Sequence, residues 1–411
     1  MKRYLIIILV IATGILTARQ YTLEDMIEAG LNSSYSMRQK NIMLKNAGLG
    51  VQNAAWNLLP SADVSFRRAN TDERYSSNGS VVVSKSLTLN EPTYFNFRQA
   101  SLDKSIAKLD WQQSKKELVY GIYTAWLDLA QLQKEISIRE ANLAILRIIK
   151  RQTELKMQLG QRTAFDVNQS EINVINAELA IAELNNQMIK LRADLFNKVK
   201  LTDDGGDLLY AETRTDLEPV FEDAEEEPFL LRQLRYDVKK SGLSKLQQKI
   251  GLLPTVVASA TYGQYSQNND VLQFDNYEDS YTLSLGVSWS LWTPFTKGSS
   301  YAQVRNSLTL KQWQYEEQQA ALRLQKDNLR REWAFLSGTL ALNTKKAAQA
   351  TDNLSIAQER YNLGSLSLIE LEQARVAALE AELAVNKLSF QLQKKAEEWN
   401  LLNSLLILDR Y

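Results

Sequence analysis

Two glycines, Gly160 and Gly364, lie 204 residues apart within long apolar-patterned segments, and after each the chain repeats itself in register. Gln169 is matched by Gln373, the run Ala177-Glu178-Leu179-Ala180 by Ala381-Glu382-Leu383-Ala384, and Gln187 by Gln391. An internal repeat of this size limits the fold more than any local propensity, because one supersecondary unit must satisfy both copies. The 411 residues therefore read as two structural repeats rather than as two or three unrelated domains.

Within the first copy the spacing predicts a helix over 22–58, with Thr22 as N-cap and Glu24 and Asp25 in the first turn. Pro60 ends it, and the period then changes to two. Ala62, Val64 and Phe66 alternate with polar residues, a polar loop follows over 70–80, and Val81, Val83, Lys85, Leu87 and Leu89 share a second face. This is a hairpin over about 61–91, closed by Pro92. From Tyr94 to Leu159 no breaker occurs, and Leu118, Ile122, Ala125, Leu129, Leu132, Ile136, Arg139, Leu143 and Leu146 step by four and three, the spacing of a coiled-coil seam. Past Leu159-Gly160-Gln161 the same alternation runs down a returning helix from Ser170 to Leu195.

The second copy has the same order: a helix from Phe229 to Leu252, a Leu-Leu-Pro stop at Pro254, and a hairpin over about 255–293. A long helix then runs from Ser299 to Asn362, followed by the Leu363-Gly364-Ser365 turn and a final seam from Ala374 to Leu392. Eight additional residues separate the prolines that flank the second hairpin, which places the length difference in its loop. The expected organisation is a leader over 1–18, repeats over 19–201 and 229–411, and a connector over 202–228. The connector carries eleven acidic residues against a single Arg214 and reads as solvated linker.

Composition excludes more than it suggests. Histidine and cysteine are absent, so Cys and His metal sites, His-based triads and disulfides are ruled out. Lys plus Arg equals Asp plus Glu at 48 each, which gives no argument for nucleic acid. No carboxylate pattern suggests catalysis, a bound cofactor or a resident metal. At the N-terminus, Lys2-Arg3, an apolar run to Leu16 and small Thr17-Ala18 have the layout of a secretory signal; a short membrane anchor is the alternative.

The prolines at 60 and 92 flank one hairpin and those at 254 and 294 the other, so both hairpins belong at one end of a long helical rod and the Gly turns at the other. A helix of this length reaches ~100 Å at ~1.5 Å per residue. Four strands are too few to close a barrel and cannot bury an apolar face alone. Either several chains pool their hairpins in a membrane, apolar face to lipid and Ser/Thr face to water, or the strands form a water-soluble sheet capping a bundle.

Leu-Leu-Pro before each hairpin, Leu-Gly turns followed by Asp166 or Glu370, and Glu-Leu-Ala heptads, all doubled, make the chain resemble the TolC-type outer-membrane efflux protein family over essentially its whole mature length. The resemblance implies a mainly α fold with a small β part. Duplicated antiparallel coiled-coil helices would form a trimeric α-barrel, topped by a 12-strand transmembrane β-barrel with four strands per chain. It further implies a homotrimer in the outer membrane with a large periplasmic portion, in contact with outer-membrane lipid, a periplasmic adaptor and an inner-membrane transporter. The function implied is a passive exit duct of an efflux or secretion system, with no enzymatic activity.

In that family acidic side chains close the helical tip. The matching positions here are Asp166 and Glu370, with Leu159, Gly160, Arg162, Leu363, Gly364 and Ser365 at the docking turns. A solvated carboxylate at a helix N-terminus is the plainer reading of either acid alone. Arg162 is expected to pair with acids of neighbouring helices; its counterpart is Leu366, and Gln373 stands where the family has a further acid. The competing function is a structural or adhesive coiled-coil protein of the envelope without a channel.

Overall fold

The computed structural model describes residues 20–71, 74–88, 92–210, 221, 227–266, 277–289 and 292–405. The leader, Leu89, Leu291 and most of the acidic connector lie outside the described residues. In chain order the elements are β1 (Gln20–Tyr21), α1 (Leu23–Ser33), α2 (Tyr35–Trp56), β2 (Ser61–Thr71), β3 (Arg74–Thr88), α3 (Pro92–Gln158) and α4 (Ala164–Val199). They continue with β4 (Asp207–Leu208), α5 (Phe229–Ile250), β5 (Thr255–Ser266), β6 (Glu278–Ser288), α6 (Thr293–Asn362) and α7 (Leu368–Leu402). The duplication is visible as α2-β2-β3-α3-α4 against α5-β5-β6-α6-α7, and α2 and α5 have 22 residues each. The residues group into two compact units, one of 1–34, 118–220 and 332–398, the other of 35–117, 221–331 and 399–411.

Three boundaries differ from the sequence reading. The helix expected over 22–58 is two helices, because Ser34 is extended (φ −60°, ψ 129°) and its N–H returns to the Gly30 carbonyl at 3.0 Å. The break coincides with the boundary between the two units. The described residues of the loop expected over 70–80 are instead strand, paired out to Thr71 and Arg74. Ladder hydrogen bonds are indifferent to side-chain polarity, so polar residues extend a hairpin that has no core to fill. Finally, α6 starts at Thr293 rather than Ser299, with Pro294 in its first turn, where a missing N–H costs nothing.

In the second unit the two hairpins join through β3 and β5 into one antiparallel sheet of order β2-β3-β5-β6. Its register gives two unlike faces. One carries Val64, Phe66, Val83, Leu87, Tyr262, Tyr281, Leu283, Leu285 and Val287, all exposed. The other carries hydroxyls that bond across the ladder, Ser65 to Ser80 at 2.7 Å and Ser259 to Ser284 at 2.6 Å. Lys85, the one charged residue in the apolar row of β3, reaches the Asn57 and Leu59 carbonyls at 3.3 and 3.4 Å and so caps the end of α2. Lys297 reaches the Gly251 carbonyl at the end of α5 in the same way, at 3.4 Å. Below the strands α2 and α5 each grip α3 by an ion pair, Lys40 to Asp110 and Lys240 to Asp103, both 2.6 Å. Trp399 is fully buried with Phe221 edge-on, whereas Trp313 is 61% exposed.

The first unit is built on α3, which is buried on two faces rather than one. The face read from the heptads meets α4, Leu132 and Ile136 against Leu184 and Leu143 and Leu146 against Val174. The second face meets α7 and is partly polar. Leu127 and Ala130 pack on Phe390, the Arg375 guanidinium donates to Asn142 Oδ1 at 2.6 Å and to Glu372, and Asn386 donates to the Gln131 carbonyl at 3.2 Å. The start of the connector is bound, not solvated. Arg192 holds both Asp203 oxygens at 2.7 Å, β4 pairs in parallel with β1, and Tyr210 lies 5.2 Å from Trp126.

Gly30 of α1 faces Ile122 of α3, and a Cβ there would sit 2.5 Å from Ile122 Cδ1. Alanine is the better helix former, but Ile122 is fully buried and has nowhere to move. Gly30→Ala is therefore expected to destabilise the protein by ~1–3 kcal/mol, the usual cost of overpacking. Thermal unfolding checks this, and an unchanged or raised midpoint contradicts the close approach.

Candidate functional site: the paired helical turns

Both Gly turns are built by the same hydrogen bonds. Gly160 (φ 74°) and Gly364 (φ 76°) occupy the left-handed region that side chains disfavour. Gly160 N–H donates to Met157 O and Gln161 N–H to Lys156 O; Gly364 N–H donates to Tyr361 O and Ser365 N–H to Arg360 O. This is the doubled bond pattern of a Schellman motif, and it satisfies the last carbonyls of α3 and α6. Leu159 and Leu363, 73% and 83% exposed, stand at the crests.

Asp166 and Glu370 start the next helices. The Asp166 carboxylate accepts from Thr163 N–H and Oγ1, both at 2.9 Å, and its own N–H donates to Thr163 Oγ1 at 3.2 Å. Glu370 does the same with Ser367, at 2.9, 2.7 and 3.2 Å. These are capping boxes, which account locally for an acid at the same place in both copies. Thr22 and Asp25 repeat the device at α1. The two hydrogen bonds from Ser367 hold the Glu370 carboxyl below the usual carboxylate range, so it stays ionised in mild acid.

The turns are clasped to each other. Arg162 Nη2 donates to the Leu366 carbonyl at 3.0 Å, which joins the two positions equivalent by the repeat. The arginine was expected to pair with acids; it meets a backbone oxygen and the ring of Tyr361, 4.8 Å away. Tyr361, 1% exposed, is the hub of this clasp. Its hydroxyl lies 2.7 Å from Thr153 Oγ1, its carbonyl accepts from Lys156 Nζ at 2.7 Å, and Lys156 also stands 4.5 Å from its ring. Burial, helped by the neighbouring Arg162 charge, holds the Lys156 ammonium below its ordinary pKa. Ile149, Ala357, Leu368 and Leu371 seal the clasp on its inner side.

Thr153, Lys156 and Tyr361 escaped the sequence reading. The first-copy counterpart of Tyr361 is Met157, so comparison of the copies weighs against it, and the only signal was a basic residue in the last turn of a helix. Beside the turns, α4 and α7 border a groove of about 520 Å³ lined by apolar Phe165, Leu368, Ile369 and Val376 and acidic Glu372 and Glu380.

Comparison with known proteins agrees with this geometry. The family model described as outer membrane efflux protein matches residues 220–402. A search of curated protein sequences found no match. Among solved structures, the outer-membrane channel OprN is 15% identical and superposes with a TM-score of 0.78 over 93% of this chain and 89% of that one. The outer-membrane protein VceC of Vibrio cholerae is 15% identical, with a TM-score of 0.76 over 92% of this chain and 94% of that one. CusC, whose structures describe transmembrane channel formation, is 10% identical, with a TM-score of 0.80 over 93% and 91%. Residues 220–402 match the model of the outer membrane efflux protein family, and over nearly its whole length the chain has the fold of solved outer-membrane channels.

Proposed function

We propose that the chain is the outer-membrane exit duct of a tripartite efflux or secretion system, passively conducting substrates handed over by a periplasmic adaptor and an inner-membrane pump. The observation that carries this reading is the four-stranded sheet with an exposed apolar face and a hydroxyl face. Among the described residues no helix is long and apolar enough to cross a membrane, so any crossing falls to the strands. Tyr281 in β6 and Trp289, the residue after its end, are both exposed and eight residues apart; at ~3.3 Å per residue this spans ~26 Å, the height of an outer-membrane apolar band. Three copies would give 12 strands, enough to close, and the Ser/Thr face would line the lumen. A structural coiled-coil protein without a channel has no use for such a sheet and would bury or charge its apolar face.

In this reading the clasped turns are the periplasmic gate. Three chains bring Asp166 and Glu370 together as six carboxylates at one constriction, which favours cations and repels anions. The clasp by Arg162, Tyr361 and Lys156 holds each chain's turns together, the capping boxes hold the carboxylates in place, and Leu159, Leu363, Ser365 and the adjoining groove offer the adaptor an apolar surface with acidic edges.

Purified protein in planar bilayers is expected to give a cation-selective conductance. Asp166→Asn with Glu370→Gln, which keep acceptors for the capping boxes, is expected to lower the cation-to-anion permeability ratio by roughly half or more. A folded protein that forms no pores contradicts the duct. The Glu370 carboxyl is depressed, so its charge persists as pH falls through the ordinary carboxylate value (about 4.3) and is lost only below it. The Glu370 contribution to selectivity is therefore expected to survive at pH 5 and to be lost only below the ordinary carboxylate value, and its loss already at pH 5 contradicts the assignment.

Arg162→Ala removes a charge-assisted hydrogen bond worth ~1.5–3 kcal/mol, at the low end here because the site is partly exposed. The expected result is a channel open roughly ten times more often at zero voltage, read from single-channel records. Unchanged gating would show that the clasp does not hold the gate closed.

A further inference from the structure

Of the strand residues that the ladder places on the hydroxyl face of the sheet, Tyr265 is the one aromatic. It pairs with Ser80 on one side and Glu278 on the other, at the end of β5 and β6 remote from the helices. Its ring does not stand off the sheet. A Cβ placed on Gly263, two residues back on the same face of the strand, would lie 2.8 Å from Cε2, Cζ and Oη of Tyr265. Real Cβ atoms do not come that close, so the ring lies down over the glycine backbone, and Gly263 is buried on an otherwise open face. Glycine inside a strand weakens it and marks a close approach. Here the approaching group is the chain's own tyrosine, which stays 40% exposed and turns its outer ring face away from the wall.

Charge adds to the ring. Glu278 stands directly across the ladder from Tyr265, which puts the two Cβ atoms ~5 Å apart. It is exposed, and no hydrogen bond or ion pair holds it among the described residues. Its neighbour Asp279, on the apolar face, is already occupied, accepting from Tyr262 Oη at 3.2 Å and from Gln264 Nε2 at 2.8 Å. Neither β5 nor β6 contains a lysine or arginine to neutralise Glu278.

We propose that Tyr265 and Glu278 form a subsite on the duct wall that takes an organic cation with an aromatic body. The inference rests on the duct reading, which makes the hydroxyl face the lumen wall, and it names the class of solute that this wall prefers. A ring held down on the sheet offers its negative face to a passing cation, and the adjacent carboxylate adds a charge of opposite sign. A solute without rings loses the first contact, and one without charge loses the second. Gly263 sets the geometry, because any side chain there would push the ring up into the path. Each subsite is complete within one chain.

Tetraphenylphosphonium and tetraethylammonium carry the same charge and differ in their rings. Added to the purified full-length protein in planar bilayers, tetraphenylphosphonium is expected to halve the current at a several-fold lower concentration than tetraethylammonium. Tyr265→Ser is expected to raise the half-blocking concentration of tetraphenylphosphonium roughly two- to fivefold, the worth of a cation over an exposed ring, and to leave block by tetraethylammonium as it was. Tyr265→Phe keeps the ring and is expected to be blocked as the parent is. Glu278→Gln is expected to weaken block by both cations. Equal sensitivity of the parent to the two cations, or unchanged block by tetraphenylphosphonium in Tyr265→Ser, overturns the subsite while the duct stands. Gly263→Ala, which displaces the ring without removing it, is expected to weaken that block as well, and parent-like block in this variant contradicts the placement of the ring. A protein that forms no pores overturns the duct reading and the subsite with it.

Discussion

The sheet of β2, β3, β5 and β6 cannot be finished by the chain that makes it. Its outer strands, β2 and β6, have no partner on one side among the described residues, and its apolar face has no helix laid over it. Unpaired strand edges and uncovered leucines are both costly in water, and soluble proteins blunt or cover them. A lipid surface removes the second cost, and neighbouring copies remove the first. The same incompleteness recurs in the helices, where α4 and α6 expose heptad faces while α3 is covered on two sides.

At the turns, one set of residues meets two demands. The Schellman bonds at Gly160 and Gly364 and the capping boxes at Asp166 and Glu370 satisfy backbone groups that a five-residue connection would otherwise expose. Those carboxylates are at the same time the charges that a constriction in a ring of copies would present. The clasp differs in kind between the copies. Arg162, Lys156 and Thr153 come from the first copy, and the second contributes Tyr361 and backbone carbonyls. The duplicated unit has thus acquired a clasp whose two halves contribute different groups.

Much of this was legible from residue spacing. The α3 seam from Leu118 to Leu146 and the alternation from Tyr281 to Val287 give helix and strand directly, because burial on one side imposes a period on the sequence. The second buried face of α3 was not legible, since Asn142 and Gln131 lie on it and the Asn142 amide and the Gln131 carbonyl are satisfied by Arg375 and Asn386, 233 and 255 residues away in sequence. The break at Ser34 was missed because helix periodicity continues across it in the sequence; it marks where one unit ends and the other begins. Asp166 and Glu370 were singled out by the family resemblance and agree between the copies, whereas Tyr361 was hidden by the comparison of copies, because its contacts exist in one copy only.

The central claim is that this fold is complete only as a ring of copies in a membrane. The most direct test is the mass of the protein extracted from outer membranes, measured by native mass spectrometry in detergent. The account predicts a single species of three chains that aggregates when the detergent is removed. A monodisperse single chain, stable in buffer without detergent, would contradict it.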